Sequence, residues 1–207
     1  MLSVSEAQRM ISDLKSREVS LGRDPKTWYI YENHVYGVAT MAKRIASRID
    51  TMDPNRLYVM GLLHDISRTE DNRLQRFHGN LGYEKLLPLD PEVARICLLH
   101  SFPWDKLPPY PPLARWFYHS KKDYNFVADY IKTHTPKEED YLIQLCDCLA
   151  NKNGLVTIEQ RAEEILDRHR KTQDFVDIVT INELKQYFDD KIGCDVYSLF
   201  DEETPMR

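Results

Sequence analysis

Two Asp-Pro pairs, at residues 53–54 and 90–91, constrain the fold of this chain more than any other feature of its sequence. Aspartate is a favoured N-cap, and proline suits the first helical position, where its missing backbone N–H needs no partner. After each pair, apolar residues recur at steps of three or four, as on the buried face of a helix. Each stripe ends in a histidine, His64 in the first case and His100 in the second. The pairs therefore predict two helices that direct a histidine inward at their C-terminal ends.

Helical spacing of apolar residues extends over most of the chain and predicts an all-α fold. Only 7 of the 207 residues are glycine. One helix is predicted over residues 27 to about 49, with His34 on its apolar face, and a short helix is predicted after His78. The acidic run at 138–140 suits the positive N-terminal end of another helix, and Asp147 lies within that helix.

The length of the chain is that of one domain with a buried core. We interpret residues 1–207 as a single domain, with a core at 24–155 and a C-terminal helical extension at 156–207. The extension has helical patterns at 157–171 and 181–190. An aromatic cluster at 197–200 is expected to fold back on the core.

A proline-rich segment at residues 103–112 interrupts the helical patterns. Its prolines, together with Trp104 and Tyr110, predict a stiff, extended connection. We interpret this segment as a lid or a wall of a binding site.

Composition and charge exclude several classes of protein. No run approaches the ~18 apolar residues that a membrane span needs, and the N-terminus lacks the apolar segment of a secretion signal. We therefore expect no membrane partner and a cytoplasmic location. The formal net charge of -5 disfavours binding to a long nucleic acid, although a small nucleotide could bind in a locally basic pocket. The four cysteines show no CxxC spacing and are expected to be reduced thiols.

The histidines and aspartates at helix ends are suited to binding a metal. Imidazole and carboxylate groups are ligands for several divalent ions, and a hydrolytic site needs several of them around one position. His64 and Asp65 are adjacent, and adjacent residues diverge by about 100° around a helix. Both can therefore reach one ion only near the end of the helix. Asp147, if buried, would be costly without a cation or hydrogen-bond partners.

These residues resemble the HD-domain superfamily of metal-dependent phosphohydrolases, whose pattern is a lone histidine, a His-Asp pair and a distant aspartate. His34, the pair His64-Asp65, and Asp147 match the pattern, in the segments NHVYGVATMAKRIA, GLLHDISR and LIQLCDCLA. The resemblance covers residues 27–152. It implies a helical bundle in which these four residues hold one or two divalent ions, which could be Fe, Mn, Mg, Co, Ni or Zn.

His78 and His100 lie where the binuclear branches of the family place two further histidines. The resemblance implies that Asp65 would then bridge the first ion to a second ion held by this pair. The arrangement is similar to that of small bacterial members that cleave dinucleoside polyphosphates. The expected activity is hydrolysis of a phosphoester or phosphoanhydride bond of a small nucleotide, with His64 and Asp65 as catalytic residues.

Three basic residues are candidates for contacts with phosphate. Arg68, also a candidate catalytic residue, lies one turn after His64, where many relatives have lysine. Its planar guanidinium could bind a phosphate through two hydrogen bonds, or it could be a solvated cation at a helix end. Lys121 and Lys132 follow the proline-rich segment in an aromatic stretch that could stack on a nucleobase, although a solvated helix face is the preferred explanation for these lysines.

Two other functions use the same residues. A nucleoside monophosphate or deoxynucleoside triphosphate phosphatase needs only the four core ligands, so His78 and His100 speak against it. A non-catalytic module that senses a nucleotide or a metal would keep the fold without turnover. The sequence leaves the formation of a homodimer open.

Overall fold

A computed structural model describes residues 1–70, 74, 76–107, 121–168 and 177–201. Within these residues the chain forms nine α-helices, so the predicted helical fold is confirmed. The helices are α1 (Val4–Ser20), α2 (Pro25–Ala46), α3 (Pro54–Leu63), α4 (His78–Leu86), α5 (Pro91–Leu99), α6 (Lys121–Thr133), α7 (Glu138–Cys148), α8 (Ile158–Arg168) and α9 (Ile178–Ile192). None of these described helices is both long and apolar enough to cross a membrane.

The two predicted helix starts at the Asp-Pro pairs are confirmed. The Asp53 carboxylate accepts hydrogen bonds from backbone N–H groups in the first turn of α3, and Asp90 does the same for α5. Both helices then run for three turns and end at a histidine, since His64 and His100 are the C-cap residues of α3 and α5. The caps thus determine where the two histidines lie.

Helix α2 lies at the centre of the fold and packs against α3, α7 and the segment that follows α7. The backbones of α2 and α3 approach closely at Gly61, where an added Cβ would lie 2.8 Å from the Cα of Ala39. Helices α4 and α5 form a second packed pair, which contacts α3 through α5. This packing directs the C-terminal ends of α3, α5 and α7 toward one place beside α2.

A β-hairpin after α7 was absent from the sequence prediction. Strand β1 (Ala150–Asn151) pairs antiparallel with β2 (Gly154–Leu155), and Gly154 has the positive φ of 109° that the turn requires. The hairpin lies on α2, where a Cβ added to Gly37 would be 2.9 Å from the Cβ of Ala150. Two-residue strands are too short to show an alternating pattern in the sequence.

The prediction of an extended chain at 103–112 is wrong for its first residues. Pro103–Asp105 forms a 3-10 turn, in which Trp104 and Asp105 have positive φ values of 53° and 54°. Gln144 of α7 holds this turn, because its Oε1 accepts from the Trp104 backbone N–H at 3.0 Å and its Nε2 donates to Asp105 at 3.0 Å. Residues 108–112 of the predicted wall, including Tyr110, lie outside the described residues.

The C-terminal segment folds back on α2 as predicted. Residues Val196–Leu199 form a 3-10 turn, and Val196 and Leu199 are buried. Arg44 of α2 anchors the turn, since its Nη1 donates to the carbonyl oxygens of Leu199 at 2.8 Å and Phe200 at 2.9 Å. The two predicted helices of the extension correspond to α8 and α9. The division into a core at 24–155 and an extension at 156–207 stays a prediction.

Candidate metal centre

Six histidine and aspartate side chains meet beside α2, and we call this group the His/Asp cluster. It combines one residue of α2, two at the end of α3, the first residue of α4, the C-cap of α5 and one residue of the last turn of α7. Its members are His34, His64, Asp65, His78, His100 and Asp147. The structure therefore brings together all six residues that the sequence analysis proposed as metal ligands.

Four of the side chains form an inner group around one position. His34 Nε2 lies 3.0 Å from Asp147 Oδ1, and His64 Nε2 lies 3.6 Å from the same oxygen. Asp65 Oδ2 lies 3.9 Å from His34 Nε2 and 3.8 Å from His64 Nε2. Ligand atoms about 2.0–2.2 Å from one ion are roughly 3.0–4.4 Å apart, depending on the angle between them, so this spacing fits a divalent cation.

The other oxygen of Asp65 belongs to an outer group. Asp65 Oδ1 lies 3.2 Å from His78 Nε2 and 3.4 Å from His100 Nε2. The two imidazole nitrogens are 3.4 Å apart. Asp65 thus directs one carboxylate oxygen toward each group, which is how a carboxylate bridges two metal ions.

Backbone carbonyl groups orient three of the four histidines. His34 Nδ1 is 3.0 Å from the Ala150 carbonyl oxygen, in the hairpin. His64 Nδ1 and His100 Nδ1 donate to the carbonyl oxygens three residues earlier, at 2.7 Å and 2.8 Å. A carbonyl oxygen only accepts hydrogen bonds, so each Nδ1 carries the hydrogen and each Nε2 presents a lone pair to the cluster. This is the arrangement that a metal ligand requires.

Burial and charge leave the cluster in need of a cation. Burial opposes ionisation of Asp65, but the electrostatic attraction of the neighbouring His78 and His64 side chains outweighs it and holds the pKa of Asp65 well below its usual range. Burial is likewise outweighed for Asp147, whose contacts with His34 and His64 hold its pKa well below the usual range. Two ionised carboxylates therefore lie in a largely buried site, where each needs a positive partner, and a divalent cation could serve as that partner.

Two atoms of the cluster lack the partners that buried polar atoms normally have. His64 Nε2 and Asp65 Oδ1 are buried, and neither has a hydrogen-bond partner among the described residues. Both belong to groups of side chains whose donor atoms are close enough to hold one ion. The residues therefore fit a divalent cation, which would satisfy both atoms.

Arg68 lies at the edge of the cluster. It is half-buried, and its Nη1 is 2.9 Å from His78 Nδ1. His78 is the one histidine of the cluster whose Nδ1 meets a side chain instead of a backbone carbonyl.

The two predicted phosphate-binding lysines lie on α6. Lys132 is 73% exposed and pairs with Asp129 of the same helix at 3.2 Å, so the structure gives it no position in the cluster. Lys121 is exposed at the first residue of the helix. Of the aromatic residues between them, Tyr124 and Tyr130 pack against a buried apolar cluster that includes Leu98 and Leu99 of α5, as core residues do. Roles for the two lysines in substrate binding stay predictions.

Sequence reasoning missed one residue that positions the site. Asp123 of α6 is 2% exposed and accepts hydrogen bonds from Arg76 at 2.8 Å and from the backbone N–H of Phe77 at 3.3 Å. Phe77 is the N-cap of α4, directly before His78. Asp123 therefore holds the start of α4 in place. In the sequence it is one of many acidic residues near a helix start, which gave no signal of burial.

Comparison with known proteins identifies the family. No curated protein and no solved structure matches the chain significantly. A model of the HD domain matches residues 31–152, which is more than half of the chain and includes all six residues of the His/Asp cluster. With this match and the geometry of the cluster, the chain belongs to the HD-domain family.

Proposed function

We propose that this protein is a phosphohydrolase that uses two divalent ions to cleave a phosphoester or phosphoanhydride bond of a small nucleotide. Membership of the HD-domain family, whose members are typically metal-dependent phosphohydrolases, supports the reaction class. The observation that carries the two-ion proposal is the position of Asp65, with Oδ2 in the inner group and Oδ1 in the outer group.

The cluster residues would divide between the two ions. His34, His64, Asp65 and Asp147 would hold the inner ion, and Asp65, His78 and His100 would hold the outer ion. Divalent ions in such a centre supply Lewis acidity toward phosphoryl oxygens and make nearby water more acidic. Fe, Mn, Mg, Co, Ni and Zn all remain candidates, because histidine and carboxylate sites accept several of these ions.

The side chains around the centre would orient the substrate. His64, His78 and His100 are 1%, 4% and 3% exposed, so bulk water has little access behind the cluster. Arg68 lies at the more exposed edge, where its guanidinium can donate two hydrogen bonds to one phosphate group. This cation would neutralise charge on a phosphate next to the one that reacts. A substrate with adjacent phosphates would use both features, and among such substrates we favour a dinucleoside polyphosphate because the two-ion arrangement is similar to that of small HD hydrolases that cleave these compounds.

The test is an assay of one preparation against a panel of nucleotides. The chain is freed of metal with a chelator, reloaded with Mn²⁺, and incubated with mononucleotides, nucleoside triphosphates and dinucleoside polyphosphates. We expect turnover that requires metal and that falls by about 100-fold or more in Asp65→Asn, since the lost metal contacts contribute several kcal/mol. Asp13→Asn, an exposed position on α1, is the matched control and should keep full activity.

Two outcomes would point to the other functions. Release of phosphate from monophosphates or triphosphates, with one ion per chain, would favour the one-ion phosphatase. Binding of nucleotide without product, at every metal loading, would favour the sensor module.

A further inference from the structure

The contact between Arg68 and His78 determines where the hydrogen of that imidazole lies. A guanidinium group has N–H donors and no acceptor. Because Arg68 Nη1 is 2.9 Å from His78 Nδ1, that nitrogen must be the acceptor. A neutral imidazole carries one hydrogen, and in His78 it is therefore on Nε2.

The hydrogen on His78 Nε2 points into the outer group. His100 Nδ1 donates to the Cys97 carbonyl oxygen, so His100 Nε2 has the free lone pair. His78 Nε2 is 3.4 Å from that nitrogen and donates its hydrogen to it. An outer ion would need a lone pair from both nitrogens. With the hydrogen between them, the outer group is arranged as a hydrogen-bonded pair.

We propose that Arg68 keeps the outer metal site closed until a phosphate group takes its guanidinium away from His78. This inference rests on the proposed function, because it assigns an order to the binding of the two ions and the substrate. A phosphate offers the guanidinium two charge-assisted hydrogen bonds in place of one to a neutral imidazole. Once Arg68 turns to phosphate, His78 can hold its hydrogen on Nδ1 and present the Nε2 lone pair to the outer ion.

The positive charge of Arg68 also disfavours an ion in the outer group, as its hydrogen bond to His78 does. The Arg68 guanidinium is directly against the His78 ring, so it repels a divalent cation on the other side of that ring. An anion bound to the guanidinium reduces this repulsion. The inner group has no such contact, since His34 and His64 both donate from Nδ1 to backbone carbonyls. The inner ion therefore binds first and independently, and the outer ion binds together with phosphate.

The coupling between the outer ion and phosphate acts in both directions. If phosphate raises the affinity for the outer ion, the outer ion must raise the affinity for phosphate by the same factor. The centre would then be complete only when a phosphorylated ligand is present.

The experiment counts bound ions and needs no turnover. Metal-free full-length chain is dialysed against a series of free Mn²⁺ concentrations, with and without inorganic phosphate, and bound Mn²⁺ is measured at equal free Mn²⁺. For the wild-type chain we expect one ion without phosphate, and a second ion whose dissociation constant falls by about 10-fold or more when phosphate is added.

Variants at Arg68 isolate its contribution. Arg68→Met removes every donor, so the second ion should bind without phosphate as tightly as it binds to the wild type with phosphate. Phosphate should then no longer change the ion count. Arg9→Met removes an equal charge from an exposed position on α1, which contributes nothing to the cluster, and should behave as the wild type does. His78→Ala should never bind the second ion. Circular dichroism verifies that each variant is folded.

Three results would overturn the inference. The first is that the wild type binds two ions with the same affinities whether or not phosphate is present. This result can be observed without any variant. Arg68→Met could leave the affinity for the second ion unchanged. No chain could bind a second ion under any condition, in which case the outer site is absent but a one-ion hydrolase stands. Failure of the proposed function looks different, because a chain that binds no ion at all has no metal centre.

Discussion

Gly61 of α3 lies against Ala39 of α2 with backbone in contact with backbone, and an added Cβ would be 2.8 Å from the Ala39 Cα and 2.9 Å from its N. The Gly61 carbonyl oxygen also accepts the hydrogen bond from His64 Nδ1 at 2.7 Å. One glycine thus sets both the approach of the two helices and the orientation of a cluster histidine.

We expect Gly61→Ala to destabilise the protein by about 1–3 kcal/mol, because the backbones must move apart. This loss should outweigh the higher helix propensity of alanine, which is worth about 1 kcal/mol. Denaturant unfolding measures the change in free energy. Ser12→Ala, at an exposed position of α1, is the control and should shift stability by less than about 0.5 kcal/mol. Equal stability of Gly61→Ala and wild type would mean that the helices are not held at this distance.

The hydrogen-bond partners predict the tautomer of each cluster histidine in the metal-free protein. His34, His64 and His100 should carry hydrogen on Nδ1, and His78 should carry it on Nε2. Nitrogen-15 chemical shifts of labelled histidine distinguish the two forms at alkaline pH, where the imidazoles are neutral. Arg68→Met should remove the preference of His78 alone. An Nδ1–H form of His78 in the wild type would contradict the assignment.

Metal should stabilise the folded chain, because the cluster exists only in the folded state. At a free ion concentration 100 times the dissociation constant, binding adds about 2.7 kcal/mol, which corresponds to a rise in melting temperature of roughly 5–10 °C for a chain of this size. Asp147→Asn should abolish most of the rise, since it removes an inner ligand. Asp50→Asn, at an exposed position, is the control and should keep the full rise in melting temperature. A full rise in Asp147→Asn would place the stabilising ion elsewhere.

A pH-dependent contribution to stability is predicted at Asp90, outside the cluster. Burial raises the pKa of this carboxyl, but two hydrogen bonds from Arg56, at 2.7 Å and 2.6 Å, and backbone N–H groups outweigh burial and lower the pKa to about 2. The folded-state pKa is thus below the unfolded value of 3.8. The ionised carboxylate therefore stabilises the folded chain above about pH 4, and this contribution is lost as the pH falls through about 2.

The expected size of this contribution is about 2 kcal/mol, from the difference between the two pKa values. Unfolding of wild type and Asp90→Asn should be compared between about pH 2 and pH 6. The two chains should differ most above pH 4 and converge toward pH 2, because only the wild type loses the ionised Asp90, whereas Glu92, the other carboxylate partner of Arg56, is protonated in both chains. A difference that stays constant with pH would show that Asp90 acts through packing alone.

Local signals predicted the helices, and the resemblance to the HD-domain superfamily indicated which histidines and aspartates would form the candidate centre. The Asp-Pro pairs fixed the starts of α3 and α5, and the apolar stripes placed His64 and His100 at their inner ends. These features depend on a few consecutive residues, so they are visible in the sequence. Whether the six side chains bind metal stays a prediction, as do the substrate and the role of Arg68.

Features that depend on distant residues were not predictable. The carbonyl that orients His34 belongs to Ala150, in a hairpin too short to show a pattern. Asp123 reaches the start of α4 from another helix. The contact of Arg68 with His78 depends on which way one long side chain turns, and spacing along the chain carries no information on that. The sequence also could not show that Lys132 pairs with Asp129 of its own helix, and a role for Lys132 in substrate binding stays a prediction.

The hydrogen bond from His34 Nδ1 to the Ala150 carbonyl oxygen joins residues that are 116 positions apart in the chain. It can therefore form only late in the synthesis of the protein. A ribosome that adds about 5–20 residues per second needs roughly 6–23 seconds to extend the chain from one residue to the other. For most of that interval the nascent chain lacks Asp147 and the carbonyl that orients His34, although all four cluster histidines are present once His100 has been added. The complete inner group can therefore form only after the chain has been extended to Ala150, so a metal ion that needs all four inner residues could bind only late in translation.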